Sequence, residues 1–231
     1  MSKMKSKDIV CDSGSFISLT NSCLAETVYY FARKHHVRFI IPPAVEEEAV
    51  IYPLKKGIKR YMFSAVKIKY AINDGILIKV KKDGISELAK KIMNLANNLF
   101  YMRGKPIRLV HIGEAETLAL AIELGVDNLL LDERTTRMLI EAPFTIKKHL
   151  EQEFKINVMV NKKNMTELSD MLGNMNVIRS SEIIAIAYEY GFFGKYKDVE
   201  REAYEAALYK IKFSGCSIRF DEIKEYLKRV K

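Results

Sequence analysis

The sequence predicts an α/β protein, a three-layer αβα sandwich with a central, mainly parallel sheet and a small all-helical C-terminal region. Residues 9–11 and 129–131 are apolar on consecutive positions, a pattern typical of strands covered on both faces of a sheet. Helical patterns alternate with such strands up to residue 160, whereas helices alone are indicated afterwards. We therefore expect one domain over residues 1–160 and a helical extension over residues 161–231.

Each element of the first domain has its own pattern. Strands are predicted at residues 9–11, 38–41, 76–80, 129–131 and 156–160. Apolar residues at helical spacing predict the helices between them, at residues 21–36, from residue 44, and at 53–72, 85–101, 113–124 and 144–154. The region after residue 161 has no cluster of acids, histidines and cysteines. We expect it to serve in packing, dimerisation or partner binding rather than in chemistry.

The charge balance indicates a polyanionic partner, for which nucleic acid is the leading candidate. The 231 residues include 38 Lys and Arg against 29 Asp and Glu, which gives a formal charge of +9. Three widely spaced cysteines favour neither disulfides nor zinc. The apolar run near the N-terminus is too short for a signal peptide, and no segment approaches the length of a membrane span. A cytoplasmic protein without a membrane partner is expected.

Acidic residues at element ends form the candidate site. Asp12 and Asp132 each follow an apolar strand, and the carboxyl ends of parallel strands share one edge of a sheet. Glu114 lies on the apolar arc of its helix, one turn before Leu118, whereas Glu116 is expected to face water. Either position also suits an ordinary helix cap or a dipole interaction, so each acid alone has two interpretations.

A third helix contributes Glu48. In the run of three glutamates, helical phase places Glu48 beside the face shared by Val45, Ala49 and Tyr52. A solvated acidic run is the alternative, and a break at Glu46 would bring Glu47 inward instead. Carboxylates that come close together repel each other unless a cation neutralises them. Oxygen ligands without Cys or His fit Mg²⁺ or Mn²⁺.

Basic residues next to aromatic ones are candidates for nucleic-acid contacts. Lys56, Arg60 and Lys67 follow one side of the pattern over residues 53–72, and a second basic loop precedes Glu114. Exposed lysines that serve solubility alone are the alternative. The candidate RNA-binding residues are Lys56, Arg60, Lys67, Arg103, Lys105 and Arg108.

Three segments in this order resemble the PIN-domain nucleases: IVCDSGSFISL, PPAVEEEAV and GEAETLALAIELGVDNLLLDERTTR. The resemblance covers roughly residues 8–160 and implies a PIN-like fold. It also implies an acidic metal and catalytic site at Asp12, Glu48, Glu114 and Asp132, with Ser13 or Ser15 as the hydroxyl position and Glu133 as the second acid of the pair. Many members have Asp where Glu114 and Glu133 stand, and the single-domain toxins of the family lack the helical tail.

The resemblance implies Mg²⁺- or Mn²⁺-dependent endonucleolytic hydrolysis of RNA, with one or two ions that activate a water for in-line attack. A non-catalytic RNA-binding protein, or one silenced by an antitoxin-like protein partner, is the alternative. The sequence leaves open the RNA specificity, a homodimer and the role of the tail, and toxin status does not follow from it.

Overall fold

The computed structural model describes residues 7–230 and divides the strands between two sheets. The strands are β1 (Asp8–Cys11), β2 (Arg38–Ile41), β3 (Leu77–Lys79), β4 (Phe100–Met102), β5 (Lys105–Pro106), β6 (Asn128–Leu130), β7 (Val158–Val160) and β8 (Asn176–Ile178). The central sheet has the order β3-β2-β1-β6-β8, and all its pairings are parallel. A smaller antiparallel sheet has the order β5-β4-β7.

The helices connect the strands and cover the sheet. They are α1 (Ser13–Asn21), α2 (Glu26–His35), α3 (Pro43–Glu46), α4 (Tyr52–Lys56), α5 (Lys59–Asn73), α6 (Ile85–Asn97), α7 (Ile112–Leu124), α8 (Arg134–Glu141), α9 (Pro143–Phe154), α10 (Lys162–Leu172), α11 (Ser180–Glu189), α12 (Glu200–Phe213) and α13 (Phe220–Arg229). A π-helical turn, Glu47–Ile51, joins α3 to α4, and a 3-10 segment, Phe192–Val199, precedes α12.

Alternate residues of the central strands enter two different hydrophobic clusters. Ile9 and Cys11 of β1 pack with the cluster that includes helices α2 and α11, whereas Val10 packs with the cluster of α6 and α7. Both faces of the sheet are therefore covered, which explains the continuous apolar runs in these strands. The α/β class and the central parallel sheet are confirmed, and the covered faces are compatible with the predicted three-layer sandwich.

The expectation that helices alone follow residue 161 is wrong at strand β8. Residues 176–178 pair in parallel with β6 at the edge of the central sheet. This strand has only three residues, none of them fully buried, so it lacks the apolar pattern of a central strand. The predicted domain ranges also include residues 1–6 and 231, which lie outside the described residues.

The C-terminal helices pack on the same core as the first strands. Ile183 and Ile184 of α11 and Tyr204 of α12 belong to the cluster that contains Ile9 and Cys11. This part of the chain therefore covers one face of the central sheet. Within residues 7–230, no helix is both long and apolar enough to cross a membrane.

Several predicted boundaries need correction. Residues 53–72 do not form one helix, because Gly57 adopts a left-handed conformation (φ 63°) that ends α4. Helix α6 ends at Asn97, and the residues after it form β4. Strand β7 pairs antiparallel with β4 in the smaller sheet and is not the last strand of the chain.

Candidate active site

Asp12 is a buried carboxylate at the carboxyl end of β1. Its Oδ2 accepts a hydrogen bond from the backbone N–H of Gly14 at 3.0 Å and thereby caps α1. Its Oδ1 is buried and has no hydrogen-bond partner among residues 7–230. Burial raises the pKa of Asp12 to about 7; the Gly14 N–H opposes this effect, and the charges of Glu114 and Glu48 add to it. Helix capping therefore accounts for one oxygen and leaves the other unexplained.

Glu114 lies in the first turn of α7 and is partly buried. Its Oε2 accepts a hydrogen bond from the backbone N–H of His111 at 2.6 Å, as in a capping box. Burial raises the pKa of Glu114 to about 7; the His111 N–H lowers it, and the charges of Glu133 and Glu48 raise it. The carboxylate thus caps a helix and also stands in a region crowded with negative charge.

Glu48 reaches this region from the π-helical turn. A Cβ built on Gly113 would lie 2.6 Å from Glu48 Oε2, so a side chain at position 113 would displace the carboxylate. Although Glu48 is exposed, it lines a cleft beside the other acids, whereas Glu46 pairs with Lys79 at 2.7 Å. Such π-helical turns are rare and frequently occur at functional sites.

Glu116 does not face water as predicted. It is partly buried, and its Oε2 accepts a hydrogen bond from the backbone N–H of Ala44 at 3.1 Å. The start of α3 packs against α7 and covers the helix face that the sequence pattern left exposed. The prediction for Glu116 is therefore wrong, and this carboxylate holds two helices together.

Asp132 is buried and engaged by the C-terminal part of the chain. Its Oδ1 accepts a hydrogen bond from the backbone N–H of Ser180 at 2.7 Å, and its Oδ2 accepts one from the Ser180 hydroxyl at 2.6 Å. Ser180 opens α11 directly after β8, which lies beside β6, so the two strand ends bring these residues together. Each carboxylate oxygen keeps a second lone pair for another partner.

The supporting residues take structural positions around these acids. Glu133 caps α8, since its Oε2 accepts a hydrogen bond from the backbone N–H of Thr136 at 2.5 Å. Ser13 and Ser15 are buried in the first turn of α1, and the Ser15 hydroxyl has no hydrogen-bond partner within residues 7–230. A buried hydroxyl without a partner is uncommon, so Ser15, like Asp12, carries a buried polar atom that the described residues leave unsatisfied.

An open cleft of about 500 Å³ lies beside the acids. Glu48, Asp132 and Glu133 line it, so these carboxylates face one common space. Gly14, which binds Asp12, also lines the cleft, and Tyr52 and Tyr61 contribute aromatic surface. Glu48, Asp132 and Glu133 therefore reach one cleft from separate elements, whereas Asp12 and Glu114 are not among the residues that line it.

The donor chemistry fits a hard divalent cation such as Mg²⁺ or Mn²⁺. The donors are carboxylate oxygens, and the unpaired, buried Asp12 Oδ1 is one of them. Burial is the largest cause of the raised pKa of Asp12 and of Glu114, and a cation would neutralise the neighbouring negative charges that add to it. The side chains do not form a closed ion cage: among residues 7–230, no three His, Cys, Asp or Glu side chains are grouped to hold a metal. The charges of Glu48 and Glu114 act on Asp12, so these three carboxylates are the candidates to hold the ion.

The predicted basic residues occupy different surroundings. Arg60 lines the acidic cleft, and its guanidinium carbon lies 5.4 Å from the centroid of the Tyr61 ring, a cation–π distance. Lys67 lines a separate apolar groove between α1, α2 and α5. Lys56 is exposed at the end of α4, and Arg103, Lys105 and Arg108 are exposed in and after the β4–β5 hairpin. The structure therefore brings Arg60 to the cleft.

Residues of the C-terminal part were missing from the predicted site. Ser180 binds both oxygens of Asp132, the Ser217 hydroxyl donates to the Asp132 carbonyl at 2.7 Å, and Ser214 and Gly215 line the cleft. Ser180 lies 48 positions from Asp132 in sequence and Ser217 lies 85 positions from it, so no local sequence pattern predicts these contacts. The one local signal is a serine at the start of a helix, where the structure has Arg179 as the N-cap and Ser180 as the first residue of α11.

Comparison of the chain with protein-family models, with curated proteins and with solved structures found no match. The chemical features of the chain that bear on its function are the buried carboxylate of Asp12, the acids around it and the cleft beside them.

Proposed function

We propose that this chain is a Mg²⁺- or Mn²⁺-dependent endoribonuclease with a PIN-like fold. The observation that carries the proposal is the buried Asp12 Oδ1, which has no hydrogen-bond partner among residues 7–230. The negative charges of Glu48 and Glu114 also act on this carboxylate. A buried carboxylate oxygen of this kind is unfavourable unless a proton or a cation compensates it. The formal charge of +9 supports RNA as the partner.

The residues of the cleft have distinct roles in this proposal. Asp12, Glu48 and Glu114 hold the cation, and the N–H groups of Gly14 and His111 orient two of these carboxylates in advance. A bound Mg²⁺ or Mn²⁺ supplies charge neutralisation at the phosphate and lowers the pKa of the attacking water. Arg60, on the lining of the cleft, binds a flanking phosphate of the strand.

A second candidate function is RNA binding without cleavage, either permanently or while a protein partner silences the site. Both oxygens of Asp132 accept hydrogen bonds from Ser180, and this observation favours the second candidate because it occupies a carboxylate expected at the metal. Divalent ions would then leave the stability of the protein unchanged, while RNA binding would remain and weaken steeply with salt.

Cleavage of RNA with and without metal separates these functions. Purified protein is incubated with a mixed-sequence RNA in Mn²⁺, in Mg²⁺ and in EDTA, beside the Asp12→Asn variant. The proposal predicts cutting by the wild type in either metal, none in EDTA, and RNA binding without cutting by the variant. Equal inactivity of both proteins in metal, with binding retained, supports the second candidate.

A further inference from the structure

A second, basic cavity lies beside the acidic cleft. Its volume is about 370 Å³. Two of its arginines belong to α8, directly after the acidic pair, and the third precedes α13 in the C-terminal part. The residues that line this cavity are Arg134, Arg137, Ser217, Ile218, Arg219 and Glu222. None of the three arginines is among the basic residues that the sequence assigns to RNA.

Ser217 joins this cavity to the acids. Its hydroxyl donates a hydrogen bond to the backbone carbonyl of Asp132 at 2.7 Å, and it accepts one from Arg137 Nη1 at 3.3 Å. Its own carbonyl accepts a hydrogen bond from Arg179 Nη1 at 3.4 Å. The wall of the basic cavity is therefore fixed to the backbone of a residue that lines the acidic cleft.

The charges in the cavity favour an anion. Of its charged lining residues, three are arginines and one is Glu222, which is held by Arg179 at 2.9 Å. Arg219 pairs with Asp221 at 3.1 Å and with Glu222 at 3.5 Å, and its side chain is 72% exposed. Arg134 is exposed and has no ion pair among the residues that the structure describes. Since each guanidinium carries five N–H donors, donors remain for a ligand.

We infer that this basic cavity binds a backbone phosphate of the RNA strand whose scissile phosphate lies at the acids; the inference rests on the proposed function. Arginine binds phosphate through two parallel N–H donors, and two arginines from different parts of the chain, Arg134 of α8 and Arg219 before α13, line the cavity. The C-terminal part then supplies half of a phosphate subsite. This gives the helical tail a role in substrate binding in addition to its packing on the sheet.

Binding of a single-stranded RNA oligonucleotide across a range of salt concentrations tests the inference. All proteins carry Asp12→Asn and are measured in EDTA, so that cleavage does not interfere. The test variant is Arg134→Gln/Arg219→Gln, and Lys224→Gln/Lys228→Gln, exposed on α13, is the control with the same change in charge. The test variant should bind about 10-fold more weakly, with a salt slope shallower by about 0.7 for one lost phosphate contact. The control should differ less than about 2-fold from its parent.

A neutral methylphosphonate linkage, moved along the oligonucleotide, identifies the phosphate. At one position the neutral linkage should weaken binding to the parent protein and have no further effect on the arginine variant, whereas positions bound elsewhere should weaken both proteins alike. Equal binding and equal salt slopes for the arginine variant and the lysine control overturn the inference. The inference is also overturned if removal of the 5′-phosphate weakens binding and neutralisation of every backbone phosphate leaves it unchanged. Circular dichroism establishes that each variant is folded.

The two proposals fail separately. If no metal supports cleavage but the arginine variant loses the phosphate-dependent part of binding, the nuclease proposal fails and the subsite stands. If metal-dependent cleavage is present and both double variants bind alike, the nuclease stands and the subsite fails. A folded Arg134→Lys/Arg219→Lys variant should bind with intermediate affinity, since it keeps the charge but loses the paired donors.

Discussion

The substitution Asp12→Asn should change how the stability of the protein depends on pH. Burial raises the pKa of Asp12 from 3.8 to about 7, so the folded protein holds this proton more tightly than the unfolded chain does. The resulting stability is fully present below about pH 4 and is lost as the pH rises through 7. Asparagine keeps an oxygen acceptor for the Gly14 N–H but does not titrate.

The size of the effect follows from the two pKa values. A tenfold change in proton affinity corresponds to about 1.4 kcal/mol, so the full change is worth about 4 kcal/mol in free energy of unfolding. At pH 5 the unfolded carboxyl is already ionised while the folded one is protonated, and about 1 to 2 kcal/mol is lost by then. Between pH 5 and pH 8, the wild type should lose about 2 to 3 kcal/mol relative to Asp12→Asn.

Urea denaturation in EDTA at several pH values measures this difference. Asp170→Asn is the matched control, because it makes the same change at an aspartate that is exposed on α10. Mn²⁺ added at pH 8 should stabilise the wild type, by about 2.7 kcal/mol at 100 times the dissociation constant, and leave Asp12→Asn unchanged. A constant difference between wild type and Asp12→Asn from pH 5 to pH 8 would refute the reasoning and leave Asp12 as a helix cap alone.

Three further experiments test the geometry of the cleft. Gly113→Ala should retain the stability of the fold, since alanine favours a helix, but should displace the Glu48 carboxylate. Mn²⁺ binding, measured by calorimetry, should then weaken at least about tenfold. Unchanged affinity would show that Glu48 does not hold the ion. Asp132→Ala should lower the free energy of unfolding, measured by urea denaturation, by about 3 kcal/mol, because it removes two hydrogen bonds and leaves the buried Ser180 unpaired. A loss below about 0.5 kcal/mol would contradict this. Arg60→Gln should reduce RNA affinity more than Lys67→Gln does in the same salt, since Arg60 alone of the two lines the cleft; equal losses would argue against RNA in this cleft.

The parallel sheet and the positions of its acids could be predicted from local sequence. The side chains of Ile9, Val10 and Cys11 pack in two hydrophobic clusters, on opposite faces of the sheet. Because both faces are covered, the strand is apolar at consecutive positions, and this pattern predicts a central strand. Asp12 and Asp132 follow directly from the strand ends, because adjacent parallel strands finish at one edge. Glu114 followed from helical phase, although the same phase misplaced Glu116, whose partner Ala44 lies 72 positions away.

The contribution of the C-terminal part could not be predicted in the same way. Strand β8 is short and lies at a sheet edge, so hydrogen bonds to β6 define it rather than a run of buried side chains. Ser180 contacts Asp132 because β8 pairs with β6 and ends at the same edge of the sheet. The π-helical turn that carries Glu48 likewise depends on packing against α5 and α1. Contacts of this kind arise only when distant segments meet.

Cleavage of RNA by a matched pair of glutamate variants tests the central claim most directly. Glu47→Gln and Glu48→Gln make the same change on adjacent residues of one π-helical turn, and Glu48 alone of the two lines the cleft. In Mn²⁺, the wild type and Glu47→Gln should cut the RNA at equal rates, while Glu48→Gln and Asp12→Asn should cut at least about 100-fold more slowly. No protein should cut in EDTA. Cutting that persists in EDTA, or that survives Asp12→Asn and Glu48→Gln in Mn²⁺, would contradict a metal-dependent nuclease at this cleft.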